Sequence, residues 1–181
     1  MVTPLMAKIF WFLNRFFMVP VFRLGLGPLF GNPLWGYMMV LKTTGRKSGK
    51  TRYSPVNYAI LNGNIYCLAG RGQQADWYRN MIASPALEVI LPGGCIAGRA
   101  EEVLDSPERT TALRKVLKAG GFAGFMLGFN PYTVSDEQMV AAAQGLPLMR
   151  IKPQGIGSGA SDYGGWVWIP VMALIIYLIV R

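Results

Sequence analysis

The sequence predicts an α+β domain: a small antiparallel barrel or sandwich with flanking helices. Short strand-like runs dominate the middle of the chain. Asn62-Gly63 and Pro92-Gly93-Gly94 fall between pairs of such runs, at hairpin spacing. The helical stretches are inserted between hairpins, with no internal repeat.

The elements follow in order. Residues 1–33 read as an N-terminal amphipathic helical segment. Lys8, Arg15 and Arg23 recur about two turns apart among Phe10, Trp11, Phe12, Leu13, Phe16 and Phe17, with an interruption near Pro20. Such a helix either lies in a membrane interface or packs on its own domain. It is not a secretory signal, because no A-x-A site follows. Residues 34–152 form the β domain. Strands are expected over Leu34–Thr44 and Arg52–Leu61, where Pro55 marks an edge or bulge, and over Ile65–Ala69. Ala75–Ala83 reads as a short helix stopped at Ser84-Pro85. Leu87–Leu91 and Cys95–Leu104 form a second hairpin. Ser106 caps a helix with Pro107 at its first position, running to about Lys118. Val134–Gln144 is a further helix with Ser135 as cap, and Leu148–Lys152 is a last strand. Residues 153–164, rich in Gly and Ser, read as a linker.

Residues 165–181 read as a transmembrane anchor. Gly165–Val180 is apolar throughout, with Tyr163, Trp166 and Trp168 at one end. The expectation is a single-pass C-terminal anchor, with the barrel on the cytoplasmic face and membrane lipid as a partner.

Charge is unevenly spread. The chain of 181 residues carries a net charge of +9. Residues 1–75 hold nine bases and no acid, and Asp76 is the first acid. Five bases fall between Lys42 and Arg52. That field favours an anionic partner. Histidine is absent, which excludes the usual Ser-His-Asp and Cys-His triads and His-ligated zinc or haem. Cys67 and Cys95 make no C-x-x-C pair, so a metal or thioredoxin-type site is not expected.

The stretch TTGRKSGKTR (Thr43–Arg52) superficially resembles a phosphate-binding loop. Its glycines, Gly45 and Gly49, are one residue too close, and Lys50-Thr51 runs into a strand-like stretch rather than a helix. A tight Gly-rich turn between antiparallel strands is the better reading. Its bases would stand at the barrel mouth, and its backbone amides could cradle an anion.

TTGRKSGKTRYSPV, with the later block LAGRGQQADWYRNMIASPALEV, resembles the signature of the deazaflavin-dependent nitroreductase family. The likeness covers roughly residues 35–152. It implies a split β-barrel of the flavin-reductase type and a reductase that uses the deazaflavin coenzyme F420, with FMN as the alternative. The acceptor would be quinone-like or nitro-bearing. By position, Arg46, Lys47 and Ser48 would face the anionic tail or phosphate. Arg52, Pro55, Val56 and Asn57 would line the cofactor groove. Leu68, Ala69, Gly70 and Arg71 would offer amides to the ring, and Trp77, Tyr78 and Asn80 would stand on the helix beside it. Tyr78 and Tyr132 are the candidate proton donors. The loop Gly70–Ala75 is shorter than in the family's characterised members. Ala119–Pro131 (AGGFAGFMLGFNP) reads as a lid over a hydrophobic acceptor or a surface for another protein.

Membrane attachment would bring such an enzyme to quinones. The alternative is a split-barrel subunit of a respiratory or photosynthetic membrane complex, without catalysis or cofactor, held by its single span among other subunits. Nucleic acid is not an expected partner: aromatics flank the basic cluster at Tyr37 and Tyr53, but the apolar segments point elsewhere.

Overall fold

The structure, a computed structural model, describes residues 12–29, 31, 36–158 and 168–180. Seven strands form its centre: β1 (Met38–Thr44), β2 (Thr51–Asn57), β3 (Ala59–Leu61), β4 (Asn64–Leu68), β5 (Ala86–Leu91), β6 (Gly94–Glu102) and β7 (Leu148–Ile156). They make one sheet in the order β2-β1-β5-β6-β7-β4-β3, and every neighbouring pair is antiparallel. The single strand expected over Arg52–Leu61 is divided at Tyr58, and its halves lie at opposite edges of the sheet. One residue separates those edges along the chain, so the sheet must curl. The result is a seven-strand half-barrel, with Tyr58 N–H bonded to Tyr37 O at the join (3.0 Å).

Local sequence explains the hairpins. Asn62 and Gly63 both have positive φ (51° and 74°), as a type I′ turn between β3 and β4 requires. Pro92-Gly93 turns β5 into β6. Gly98 sits at the register shift between β6 and β7, where a Cβ would come within 2.7 Å of Ile151 Cγ2.

Three apolar clusters hold the domain. The first fills the barrel with Met39, Leu41, Val56, Ile65, Cys67, Val89, Met149 and Ile151. Helix α2 (Asp76–Ala83) caps this core, burying Tyr78 and Met81 within it. The second lies outside β4 and β7, under α3 (Pro107–Ala119) and α4 (Asp136–Ala142). Leu113 and Met139 are fully buried there, each contributing about 1.5–3 kcal/mol. Both expected caps form: Ser106 Oγ accepts from Arg109 N, and Ser135 Oγ from Gln138 N. The third cluster seats α1 (Val19–Arg23) through Val21 and Phe22 against Val40 and Ile90.

The N-terminal helix differs from expectation. Pro20 does not interrupt it but stands in the first turn of α1, preceded by a π-helical turn over Asn14–Met18. Proline donates no N–H and crowds the carbonyl four residues back, and the wider π turn accommodates both effects. Its inner side chains pack on the domain, while Phe12, Phe16 and Phe17 remain exposed.

Two C-terminal expectations change. β7 runs through Pro153 to Ile156, so the strand outlasts the expected linker boundary. The membrane anchor is corrected outright. Helix α5 spans Trp168–Val180, 13 residues, or about 20 Å at 1.5 Å per residue, against roughly 30 Å of hydrocarbon. Among the described residues no helix is long and apolar enough to cross a membrane. The single-pass anchor, and with it the cytoplasmic-face placement of the barrel, is withdrawn. Tyr163 and Trp166, expected to flank the span, lie outside the described residues.

Candidate cofactor site

The basic stretch forms the turn between β1 and β2, where Thr44 pairs with Thr51. Gly45 O accepts from both Ser48 N and Gly49 N, and Gly45 N donates to Lys50 O (2.9 Å). Gly49 takes φ 65°, the left-handed conformation glycine adopts without penalty. Lys50 N donates to Ser48 Oγ (3.4 Å), which also accepts from Arg52 (3.3 Å). These amides are therefore turned to partners within the turn. What it offers outward is side-chain charge: Lys47, Lys50 and Arg52 are exposed.

Arg46 fastens the turn to α2. Its backbone N–H donates to Asn80 Oδ1 (3.2 Å), and its Nη1 donates to the same oxygen (3.1 Å). Nη2 pairs with Asp76 Oδ1 (3.0 Å). Asn80 is buried and accepts both bonds, which explains a polar side chain in the core. Beneath the turn, Thr43 is buried with its hydroxyl lacking a partner in the described structure.

Trp77 packs against the barrel interior from α2. Tyr78 reaches through the core, and its hydroxyl donates to Glu102 Oε2 (2.8 Å). Burial first, and the carboxylate second, push that phenol above its ordinary pKa. Leu68 ends β4, and Ala69–Arg71 begin the loop into α2. The N–H groups of Ala69, Gly70 and Gly72 donate to Pro147 O, Leu68 O and Ala69 O. Arg71 is exposed.

The structure thus gathers Arg46, Trp77, Tyr78 and Asn80 around α2, next to Leu68–Arg71, with Lys47 and Ser48 on the turn that Arg46 fastens there and Arg52 at the start of β2. The other expected residues are distributed differently. Val56 faces the barrel interior, while Pro55 pairs with Val40, which lies on the opposite face of the sheet. Asn57 is at the far end of β2, its Nδ2 donating to Tyr37 O (3.4 Å). Tyr132 lies beside the end of α3: its hydroxyl donates to Lys118 O (3.2 Å) and its ring meets Phe125. Neither residue belongs to the cluster around Tyr78.

Three features escaped the sequence reading. Asp76 and Glu102 answer Arg46 and Tyr78 across long separations. An open apolar groove of ≈ 480 Å³ also lies between Tyr37, Tyr58, Leu91 and the Pro92-Gly93 turn. It stands at the start of β1, and the basic turn at its end, six residues or about 20 Å along the strand. Burial first, and neighbouring Tyr37 second, raise the Tyr58 phenol there.

The donor set around the turn fits an anionic group. Lys47, Lys50, Arg52 and Arg71 are exposed, and the nearby acid Asp76 is already paired with Arg46. Arginine can fork onto phosphate or carboxylate, and lysine adds a point charge.

Residues 23–124 match the profile of a family described as F420H(2)-dependent quinone reductase. No curated protein matches the chain. Among solved structures, the F420-H2 dependent reductase FDR-A is 24% identical at a TM-score of 0.41, covering 65% of this chain and 93% of its own. A heme binding protein from Mycobacterium smegmatis is 16% identical at 0.49, covering 77% and 56%. HutZ, the heme storage protein from Vibrio cholerae, is 14% identical at 0.47, covering 65% and 81%. Likenesses this distant say nothing of chemistry.

Proposed function

The chain belongs to the F420H(2)-dependent quinone reductase family, and from that premise we propose that its α2 pole holds F420 and that its acceptor is a quinone-like ring. The observation that carries this reading is the cationic turn fastened to α2 by Arg46. Lys47, Lys50, Arg52 and Arg71 take the coenzyme's anionic phosphate and tail. Trp77 and the loop Leu68–Arg71 flank the ring. When bound in reduced form, the coenzyme supplies hydride to an electron-poor acceptor.

The chain's own residues bind and orient. The turn supplies charge at one place, and its internal hydrogen bonds keep that charge from spreading over many conformations. Proton delivery is less prepared. The Tyr78 hydroxyl already donates a hydrogen bond to Glu102 Oε2, and the Tyr132 hydroxyl donates to Lys118 O. Either bond must break before that hydroxyl serves an acceptor oxygen. Tyr132 is the more exposed and its bond is the longer, but it lies beside the end of α3; Tyr78 is the one that stands on α2 at the proposed pole.

The test is turnover. Purified protein is mixed with reduced F420 and a water-soluble naphthoquinone, and return of the oxidised coenzyme's absorbance is followed. Saturable oxidation that depends on protein and on quinone is expected. A rate no greater than the protein-free mixture contradicts the proposal.

A further inference from the structure

Arg46 is held in two different ways. Its inner side is fixed: the backbone N–H and Nη1 both donate to Asn80 Oδ1, and Asn80 is buried. Nη1 also approaches Asp76 O (3.4 Å). Its outer side is only touched. Nη2 makes one bond, to Asp76 Oδ1, and Nε donates to nothing among the described residues. The Asp76 side chain is 82% exposed, against 23% for Arg46. A guanidinium meets phosphate or carboxylate best through two parallel N–H bonds, and the Nε–Nη2 edge is one such fork. Here that edge carries a monodentate contact to a carboxylate that water can solvate as well as the protein does.

We propose that Asp76 is an internal counter-ion that occupies the coenzyme-facing edge of Arg46 and competes with the coenzyme's anionic group for it. Asn80 holds the guanidinium in place whether or not Asp76 is engaged. The incoming phosphate or carboxylate takes the Nε–Nη2 edge in two bonds, and Asp76 turns out to water. This inference rests on the α2 pole being the F420 site. It goes further by assigning one acid the task of weakening that site. A supporting role for Asp76 would act in the opposite direction, because an acid in the first turn of α2 also steadies the helix against its dipole. Affinity and stability therefore move apart under the proposal and together under a purely structural role.

The experiment compares wild-type protein, Asp76→Asn and Asp76→Glu. F420 binding is read by fluorescence titration, and the Tm of each protein is read without coenzyme. A lost surface ion pair predicts that Asp76→Asn binds F420 about two- to five-fold more tightly, while its Tm is unchanged or slightly lower. Asp76→Glu restores the acid and returns affinity toward wild type. If wild type binds F420 and Asp76→Asn binds equally or less tightly, the competition is refuted and the reading of the site stands. If wild type does not bind F420, the reading of the site fails and the competition fails with it.

Discussion

Two arginines in this protein are equally buried and differently used. The Arg46 and Arg150 side chains are 23% and 24% exposed. Arg150, on β7, is surrounded by charge: it pairs with Glu101 on β6 and Glu108 on α3, and Glu101 also takes Lys152. Tyr66 donates to Glu108 (2.6 Å) and completes the network. Its two carboxylates are about half as exposed as Asp76. Arg46 has one neutral buried partner and one acid in water. The saturated arginine ties a helix to the barrel wall. The half-satisfied one stands at the pole proposed for the coenzyme, its Nη2 meeting a single exposed acid. Equal burial therefore hides a difference in the number and exposure of the anions each arginine meets.

That contrast is breakable by mutation. Arg150→Met leaves two carboxylates facing each other with fewer donors. Partial exposure tempers the cost of a broken buried pair, so about 2 kcal/mol of stability is expected to disappear in urea unfolding. F420 affinity is expected to stay unchanged. Asn80→Ala removes the shared acceptor of Arg46, costing about 1–2 kcal/mol, and here coenzyme affinity falls as well. Equal effects on binding from these two variants would erase the distinction.

Tyr78→Phe deletes the bond to Glu102 and is expected to cost about 1 kcal/mol. Tyr132→Phe, on an exposed ring, is expected to cost less than about 0.5 kcal/mol. Thermal melting measures both.

The smallest effect is one of pH. Hydrogen bonds from Lys152 and from Tyr66 are the main reasons the Glu101 and Glu108 carboxyls lie below their ordinary pKa of 4.5. Both groups bind protons more weakly folded than unfolded. Their contribution is therefore present above pH 4.5 and is lost as the pH falls below it, through the lowered folded values. Glu101→Gln/Glu108→Gln is expected to flatten that part of the acid-unfolding curve.

Local signals made much of the fold legible in the sequence. Asn62-Gly63, Ser106-Pro107 and Ser135 each act through their own backbone or through the next few residues. The family blocks located the turn and α2, and the profile match agrees with that family. What could not be read was long-range. No Gly or Pro marks Tyr58, where the curl of the sheet sends one strand-like run to two edges. The Arg46–Asn80 and Tyr78–Glu102 contacts join residues 34 and 24 positions apart. Pairing at that distance depends on strand order, which the hydrophobic pattern does not encode. The C-terminal run misled for a different reason. Its hydropathy shows which residues avoid water but does not fix the length of the helix they form, and the described helix, Trp168–Val180, has 13 residues.

The most direct test of the central claim is the salt dependence of F420 binding, measured by fluorescence titration on wild type and on Lys47→Ala/Arg52→Ala. If the exposed bases of the turn hold the coenzyme's anionic group, wild-type affinity falls as salt rises. The double variant then binds about tenfold or more weakly at low salt, with a shallower salt slope, consistent with two lost charge-assisted contacts. Equal affinity and equal slope in the two proteins would contradict the account and move the coenzyme away from the turn.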